Sequence, residues 1–237
     1  MSDSINIVHL YADEMNIYGD NGNVQTLVKR LQWRNIPVKV KLVGVGDKIP
    51  GNTDIIVSGG GQDKGQFNVE KDLQSKAKQL RSMSDAGVTM LTICGTYQLF
   101  GRHFITNEKS MLRGISIFDA HTIAQEKRLI GNILLDTKWG ELVGFENHSG
   151  QTQLGAGQLG LGTVIKGNGN NDITKDEGAI KNNVFGTYLH GPILPKNPKF
   201  ADELLRRTLE LKFGSSHLEE IDDVLERQAF AVAKLRP

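Results

Sequence analysis

The sequence predicts an α/β fold with a mostly parallel sheet and helices on its faces. Three observations predict it. Strand-like and helix-like segments alternate through the first hundred residues. A glycine loop, "SGGGQD", follows one of the strands. The run "LTICGTYQLFG", Leu91 to Gly101, turns a strand into a helix at the only cysteine in the chain.

The elements follow in order. "INIVHL" is a short apolar run and reads as a buried strand. "YADEMNIYGDNGN" is polar and turn-rich. Val24, Leu27, Val28 and Leu31 then share one helical face, with Asn23 in position to cap it. "PVKVKLV" is a second strand, and "DIIVSGGGQD" is a third that runs into the glycine loop. Val69, Leu73, Ala77 and Leu80 predict a helix from Val69 to Ala86, stopped by Gly87. "VTMLTI" is a fourth strand that ends at Cys94. In sheets of this kind functional loops gather at the carboxyl ends of the strands. Both "SGGGQD" and Cys94 fall there.

Residues 111 to 190 change character. "RGISIFDAHT", "RLIGNILLDT", "ELVGFENH" and "NVFGTYLHG" read as short strands between turns, and "KGNGNNDIT" as an exposed loop. Asn197 and Pro198 read as the cap and first residue of another helix. A last helix is predicted over Ile221 to Leu235. The domain reading is a main domain over 1–213 and a helical extension over 214–237.

Composition narrows the function classes. The chain has 237 residues and a formal net charge of +1. Its charges are balanced, so no basic stripe marks a nucleic-acid partner. No apolar stretch approaches the roughly 20 residues of a membrane helix, and "MSDSINIVHL" does not read as a signal peptide. A cytoplasmic protein without direct membrane insertion is expected. One cysteine cannot form an internal disulfide, so Cys94 is either core filler or chemistry.

Several motifs fall away. "GAGQLG", Gly155 to Gly160, matches a dinucleotide fingerprint. The fingerprint needs a strand before it and a helix after it. "SGQTQL" is polar and "LGTVIKGNG" opens no helix, so no dinucleotide is expected. There is no phosphate loop and no serine elbow. The six histidines lack metal-ligand spacing, and neither metal nor cofactor is expected.

Cys94 read alone is a small buried hydrophobe. Its context argues otherwise. A sharp turn with a helix N-terminus just beyond stabilises a thiolate, and the first helical amides can hold an oxyanion. A nucleophilic cysteine needs a base, usually a histidine distant in sequence. His190 ends "NVFGTYLH" and meets Gly191 and Pro192, which leaves an imidazole at a strand end.

"TICGTYQLFG", "SGGGQD" and "GFENHSG" resemble the elbow, the oxyanion strand and the segment ahead of the histidine in class I glutamine amidotransferases, in the branch that contains cobyric acid synthases. That resemblance implies a mixed sheet flanked by helices. "MNIYGDNGN" and "FGTYLHGPILPKNP" narrow it to the glutaminase subunits of lipid II isoglutaminyl synthases, from about residue 5 to residue 200. The resemblance implies that Cys94 attacks the side-chain amide of L-glutamine and that His190 is its base. It implies oxyanion donors at the Gly60 and Gly95 amides, and substrate contacts from Gln98 and Arg128. It also implies a MurT-like, Mur-ligase-type partner that uses ATP and carries the lipid II substrate. Bland alternatives are a helix-surface Gln98 and a strand-edge Arg128.

Three positions depart from the pattern. Thr92 stands where the elbow usually has glycine, and Thr96 where the cobyric branch often has another. Pro192 stands two residues after the histidine, where the class usually has glutamate. The site is therefore a Cys–His dyad or takes an acid from elsewhere, with Asp20 ahead of Glu146. Two other function classes stay open at this point: a cysteine hydrolase of related fold, such as a γ-glutamyl hydrolase or peptidase, and a silent scaffold.

Overall fold

A computed structural model describes residues 4–61 and 63–236; Gln62 of the glycine loop lies outside them. The first half alternates as expected. Strand β1 is Ile5–Leu10, helix α1 Asn21–Gln32, β2 Val38–Val43, β3 Ile55–Ser58, α2 Asp63–Asp85, β4 Thr89–Ile93 and α3 Gly95–Phe100. β1 pairs in parallel with β2 and β3, and β3 with β4. β3 and β4 are buried along their whole length because both faces of the sheet are covered there, so no alternation survives in them, whereas β2 at the edge keeps its Val-Lys alternation and is mostly exposed. α1 packs on α4 (Pro198–Phe213) and α2 on α3.

The later strands complete this sheet. β12 (Val184–Thr187) inserts beside β4 in parallel, and β11 (Ala179–Lys181) pairs antiparallel outside it. The order is β11-β12-β4-β3-β1-β2, a mixed sheet with helices packed around it. The register sets Thr187 opposite Ile93. The carboxyl ends of β4 and β12 therefore lie side by side. This one pairing brings Cys94 and His190, 96 positions apart in the chain, to the same edge.

The second sheet departs from the sequence reading. β5 is His103–Ile105, β6 Met111–Arg113, β7 Ala120–Thr137, β8 Gly140–Leu154, β9 Gly162–Lys166 and β10 Asp176–Glu177. They form a separate sheet in the order β10-β9-β7-β5-β6, with β8 on β7. β7 and β8 make one long hairpin. It turns at Lys138–Trp139, and Gly140 closes the turn at φ 99°. Polar residues inside both strands hide their length from a hydrophobic reading. "SGQTQL" belongs to β8, so a strand does precede "GAGQLG". No helix follows, since the chain goes on into β9, and the dinucleotide reading still fails.

Five smaller corrections concern helix ends, caps and one loop. α1 starts after Asp20, and Asn23 sits inside its first turn. The Asn23 side chain instead accepts the Leu194 N–H. α2 begins at Asp63, two turns before its apolar periodicity becomes visible. "KGNGNNDIT" is not an exposed loop throughout, because Asn170 and Asn171 are buried. Asn170 accepts from the Tyr97 hydroxyl and the Gly178 N–H, and Asn171 bridges Thr152 and the amides of Ile173 and Thr174. α4 ends at Phe213 with Gly214 left-handed behind it, and the last helix, α5, is Val224–Leu235. Asn197 and Pro198 open α4 as expected, though the Asn197 side chain pairs with the Val143 backbone rather than capping.

Candidate active site

Cys94 sits between β4 and α3 at φ 50° and ψ −105°. That is a strained conformation for a residue with a side chain, and strain of this kind costs roughly 1–3 kcal/mol. The surrounding chain holds it. The Cys94 N–H donates to Thr187 O and its carbonyl accepts from Gln98 N. The two threonines that replace expected glycines have work here. Thr96 Oγ1 donates to Gly59 O at 2.7 Å, joining the elbow to the glycine strand. Thr92 Oγ1 donates to Phe185 O.

The glycine strand is close-packed. A Cβ at Gly59 would lie 2.3 Å from Met15 O, and one at Gly61 2.5 Å from Met15 Sδ. A Cβ at Gly60 would lie 2.8 Å from His190 Cε1, 3.1 Å from Cys94 Cβ and 3.6 Å from Asp20 Oδ2. Gly60 thus marks the point where these three residues converge, and only a hydrogen side chain fits there.

His190 is fully buried, and its backbone pairs with Phe145 of β8 through both N–H and C=O. The Tyr18 ring lies against the imidazole, with centroids 4.2 Å apart. Burial, with the nearby His148, pushes His190 down to about 3. The imidazole is therefore neutral at ordinary pH, the form a general base needs.

Asp20 is also fully buried. Its Oδ2 accepts the Gly60 N–H at 2.7 Å, and its Oδ1 lies 4.0 Å from His190 Nδ1. Four ångströms is beyond hydrogen-bond reach, which is why burial rather than ion pairing sets the imidazole's state. Burial pushes the Asp20 carboxyl up to about 6, against the pull of the Gly60 N–H. Of the two acids named from sequence, the geometry brings only Asp20 to His190. Glu146 goes elsewhere. Its carboxylate accepts the amides of Asn168 and Gly169 and the Asn168 side chain, and lies 3.9 Å from His148 Nε2. Burial raises Glu146, but these partners outweigh it and hold the carboxyl below its usual value.

The expected oxyanion donors differ from one another. The Gly60 N–H is taken by Asp20. Gly95 opens α3, with its carbonyl accepting from Gln66 Nε2. Gln98 is buried, not a helix-surface residue. It donates to the Tyr188 hydroxyl and accepts from Gln66 at 2.7 Å.

Arg128 stands on a β-bulge. Between Ala124 and Leu129 the register of β7 against β8 slips, so four residues oppose Ser149 alone. Bulges re-aim side chains. This one places the exposed Arg128 guanidinium on Asn147, at 2.7 Å from Oδ1. Tyr18, Cys94, Gln98, Arg128, Asn147 and His148 line one cleft of about 570 Å³. A larger groove of about 840 Å³ runs beside β7 and β8, but no nucleophile lines it.

A thiol on a sharp strand-to-helix turn, a neutral buried imidazole near it and an arginine on the same cleft form an arrangement that could attack an amide of a small carboxylated substrate. Residues 6–198 match the CobB/CobQ-like glutamine amidotransferase domain. The chain belongs to that family. This amidotransferase is 40% identical over 95% of its length to the GatD subunit of lipid II isoglutaminyl synthase (glutamine-hydrolyzing) from Staphylococcus aureus, covering 93% of that protein. It is 36% identical to the corresponding subunit from Streptococcus pneumoniae, covering 94% of this chain and 88% of that one. Among solved structures, PurLQS from Thermotoga maritima superposes with a TM-score of 0.59 at 12% identity, covering 88% of this chain and 99% of that chain. At that identity the likeness speaks for the fold alone.

Sequence reasoning missed Tyr18, Gln66, Asn147, His148 and Tyr188. Tyr18 and Asn147 lay inside quoted motifs, "MNIYGDNGN" and "GFENHSG", so their positions carried a signal. Gln66 carried none, because the first turns of α2 show no apolar periodicity.

Proposed function

We propose that this chain is the glutamine-hydrolysing subunit of a lipid II isoglutaminyl synthase, acting through Cys94 and His190. The observation that carries the site is the convergence of Cys94, His190 and Asp20 on Gly60. The substrate and partner come from the two GatD relatives and from the motifs shared with them.

L-Glutamine enters the cleft with its α-carboxylate on Arg128, which exchanges Asn147 for a bidentate pair. Its side-chain amide faces Cys94. His190 takes the thiol proton, and the thiolate adds to the amide carbon. The Gly95 N–H supports the oxyanion. The Gly60 N–H joins it only if Asp20 lets go, which couples the acid to the oxyanion strand. The imidazolium then protonates the departing ammonia, leaving a γ-glutamyl thioester on Cys94. His190 next activates water, which releases glutamate. Asp20 Oδ1 faces the imidazole and stabilises its charged form, the work the missing glutamate would do.

The ammonia passes to a MurT-like, Mur-ligase-type partner, which amidates D-glutamate of lipid II to D-isoglutamine with ATP. Residues 1–213 form the glutaminase domain and 214–237 a helical extension, in a cytoplasmic heterodimer. Among the described residues no helix is long and apolar enough to cross a membrane. The test is ammonia release from L-glutamine, measured with and without such a partner, ATP and a lipid II acceptor. Cys94→Ser is expected to abolish release while the fold remains. A glutamine-like diazo-ketone is expected to label Cys94 alone. Near-normal release by Cys94→Ser would overturn the reading. Amidated product formed equally well without any partner would overturn the division of labour.

A further inference from the structure

We propose that Glu177 is a positioning residue for the nucleophile and base, fixing the chain that leads from β12 into His190. The inference rests on the reading of Cys94 and His190 as the reacting pair.

The segment Tyr188–Leu189–His190 leaves the sheet where β12 ends, at Thr187. Its backbone N–H groups lose their strand partners there and need others, since unpaired buried amides are costly. Each finds one. Tyr188 N–H donates to Glu177 Oε1 at 2.6 Å. Leu189 N–H donates to Thr187 Oγ1 at 3.0 Å. His190 N–H donates to Phe145 O at 2.7 Å.

Thr187 depends on Glu177 in turn. Its hydroxyl carries one proton, which it gives to Glu177 Oε1 at 3.0 Å, so its lone pairs are turned to Leu189. One carboxyl oxygen therefore sets the amide at 188 directly and the amide at 189 through the hydroxyl. Thr187 also faces the other reactant. Its carbonyl accepts the Cys94 N–H at 2.8 Å. Glu177 thus holds the residue that ties the strained elbow to the histidine arm.

The carboxyl is an unusual choice for a purely mechanical anchor. Glu177 is fully buried on β10, and its Oε2 has no hydrogen-bond partner. Burial pushes the group up to about 8, against the Tyr188 N–H and with Glu146 and Asp176 adding to the rise. The neutral acid is the form the surroundings favour, and glutamine mimics it. The feature that matters is the acceptor oxygen, which glutamine keeps and alanine removes.

The experiment uses the full chain and follows the rate at which a glutamine-like diazo-ketone labels Cys94, with L-glutamine affinity measured in parallel. Misplacing a reacting group by about an ångström costs about 10²-fold. Glu177→Ala is expected to slow labelling about 10- to 10²-fold while glutamine affinity stays near wild type, because Arg128 is untouched. Glu177→Gln is expected to recover most of the rate. A folded Glu177→Ala that labels at the wild-type rate would overturn the proposal, and so would a folded Glu177→Gln as slow as Glu177→Ala. If Glu177→Ala does not fold, the hydroxyl relay supplies the test. Thr187→Val is expected to be slow and Thr187→Ser close to wild type, and equal rates for wild type and Thr187→Val would overturn it. Absence of Cys94 labelling in the wild-type chain would bring down the cysteine reading and this one together. Normal wild-type labelling with an unaffected Glu177→Ala would bring down this one alone.

Discussion

The two sheets divide the work of the site. The first supplies Cys94, His190 and Asp20, all within the buried set, from a loop and strand ends whose positions parallel pairing fixes. The second supplies Arg128 and Asn147 from a long hairpin, and Arg128 is exposed. On the proposed reading, the groups that would exchange protons are kept away from water, where burial sets their protonation states, and the group that would meet the charged end of the substrate stays exposed. The difference predicts that damage to the first region lowers kcat, and damage to the second raises KM.

The largest break is expected at His190. His190→Ala should lower kcat by roughly 10²–10⁴-fold, the loss typical of a general base. Ammonia release under saturating glutamine is the measurement. Residual activity within a few-fold of wild type would remove the imidazole from the chemistry.

Asp20 comes next. Asp20→Asn keeps an oxygen for the Gly60 N–H but cannot carry a negative charge. We expect a fall in kcat of about 10- to 10²-fold and a change in the pH profile. In the wild type kcat/KM should rise as pH passes about 6, where Asp20 ionises. Asp20→Asn should lose that limb. Stability should move the other way. The folded value near 6 lies above the ordinary 3.8, so the stability this group contributes is present below about 3.8 and lost as pH rises through about 6. Above pH 6, Asp20→Asn should therefore melt higher than wild type. A lower melting point with an unchanged pH profile would mean that Asp20 is only a cap for α1 and the Gly60 amide.

The first sheet was legible in the sequence, and the second only as short pieces of its long strands. "INIVHL", "DIIVS" and "VTMLTI" are mostly apolar and almost wholly buried because both faces are covered, and such runs stand out. Cys94 stood out as the residue directly after "VTMLTI", and His190 as the one that closes "NVFGTYLH", although β12 itself stops at Thr187 and His190 lies three residues beyond it. β7 and β8 are half wet and carry glycine, asparagine and charges inside them, so their alternation is broken. The bulge that aims Arg128 leaves no trace in hydropathy, and the arginine was found only through resemblance. Asp20 looked like a turn residue before Asn-Gly. Its burial against Gly60 is a tertiary fact that no local pattern encodes.

Arg128 should sharpen the contrast between regions. The α-carboxylate it would hold is remote from the reacting amide, so the contact is made equally in ground and transition states. Losing a hydrogen bond to a charged group costs about 1.5–3 kcal/mol, or roughly a 10- to 10²-fold rise in KM. Arg128→Ala should show that rise with kcat largely kept. Arg128→Lys should recover only part, because an ammonium cannot reproduce the planar fork. A fall in kcat with KM unchanged would move Arg128 out of the recognition arm.

The smallest catalytic effect is expected at Glu146, the second acid named from sequence. It lies on β8, one residue after Phe145, which pairs with His190, yet its carboxylate serves the amides of Asn168 and Gly169. Glu146→Gln should leave kcat and KM close to wild type. Its cost should appear in stability instead. Glutamine keeps one acceptor oxygen, and its new NH2 must face an N–H that now lacks an acceptor. An unsatisfied buried donor costs about 1–3 kcal/mol. The sign with pH follows from the lowered carboxyl. A group held below its ordinary 4.5 contributes stability that is present above that value and lost as pH falls through the folded one. The gap in melting temperature between wild type and Glu146→Gln should therefore be widest above about pH 4.5 and close in stronger acid. A normal melting curve with a large loss of kcat would reverse the assignment. It would place Glu146, acting through His148, ahead of Asp20 as the acid that serves the imidazole.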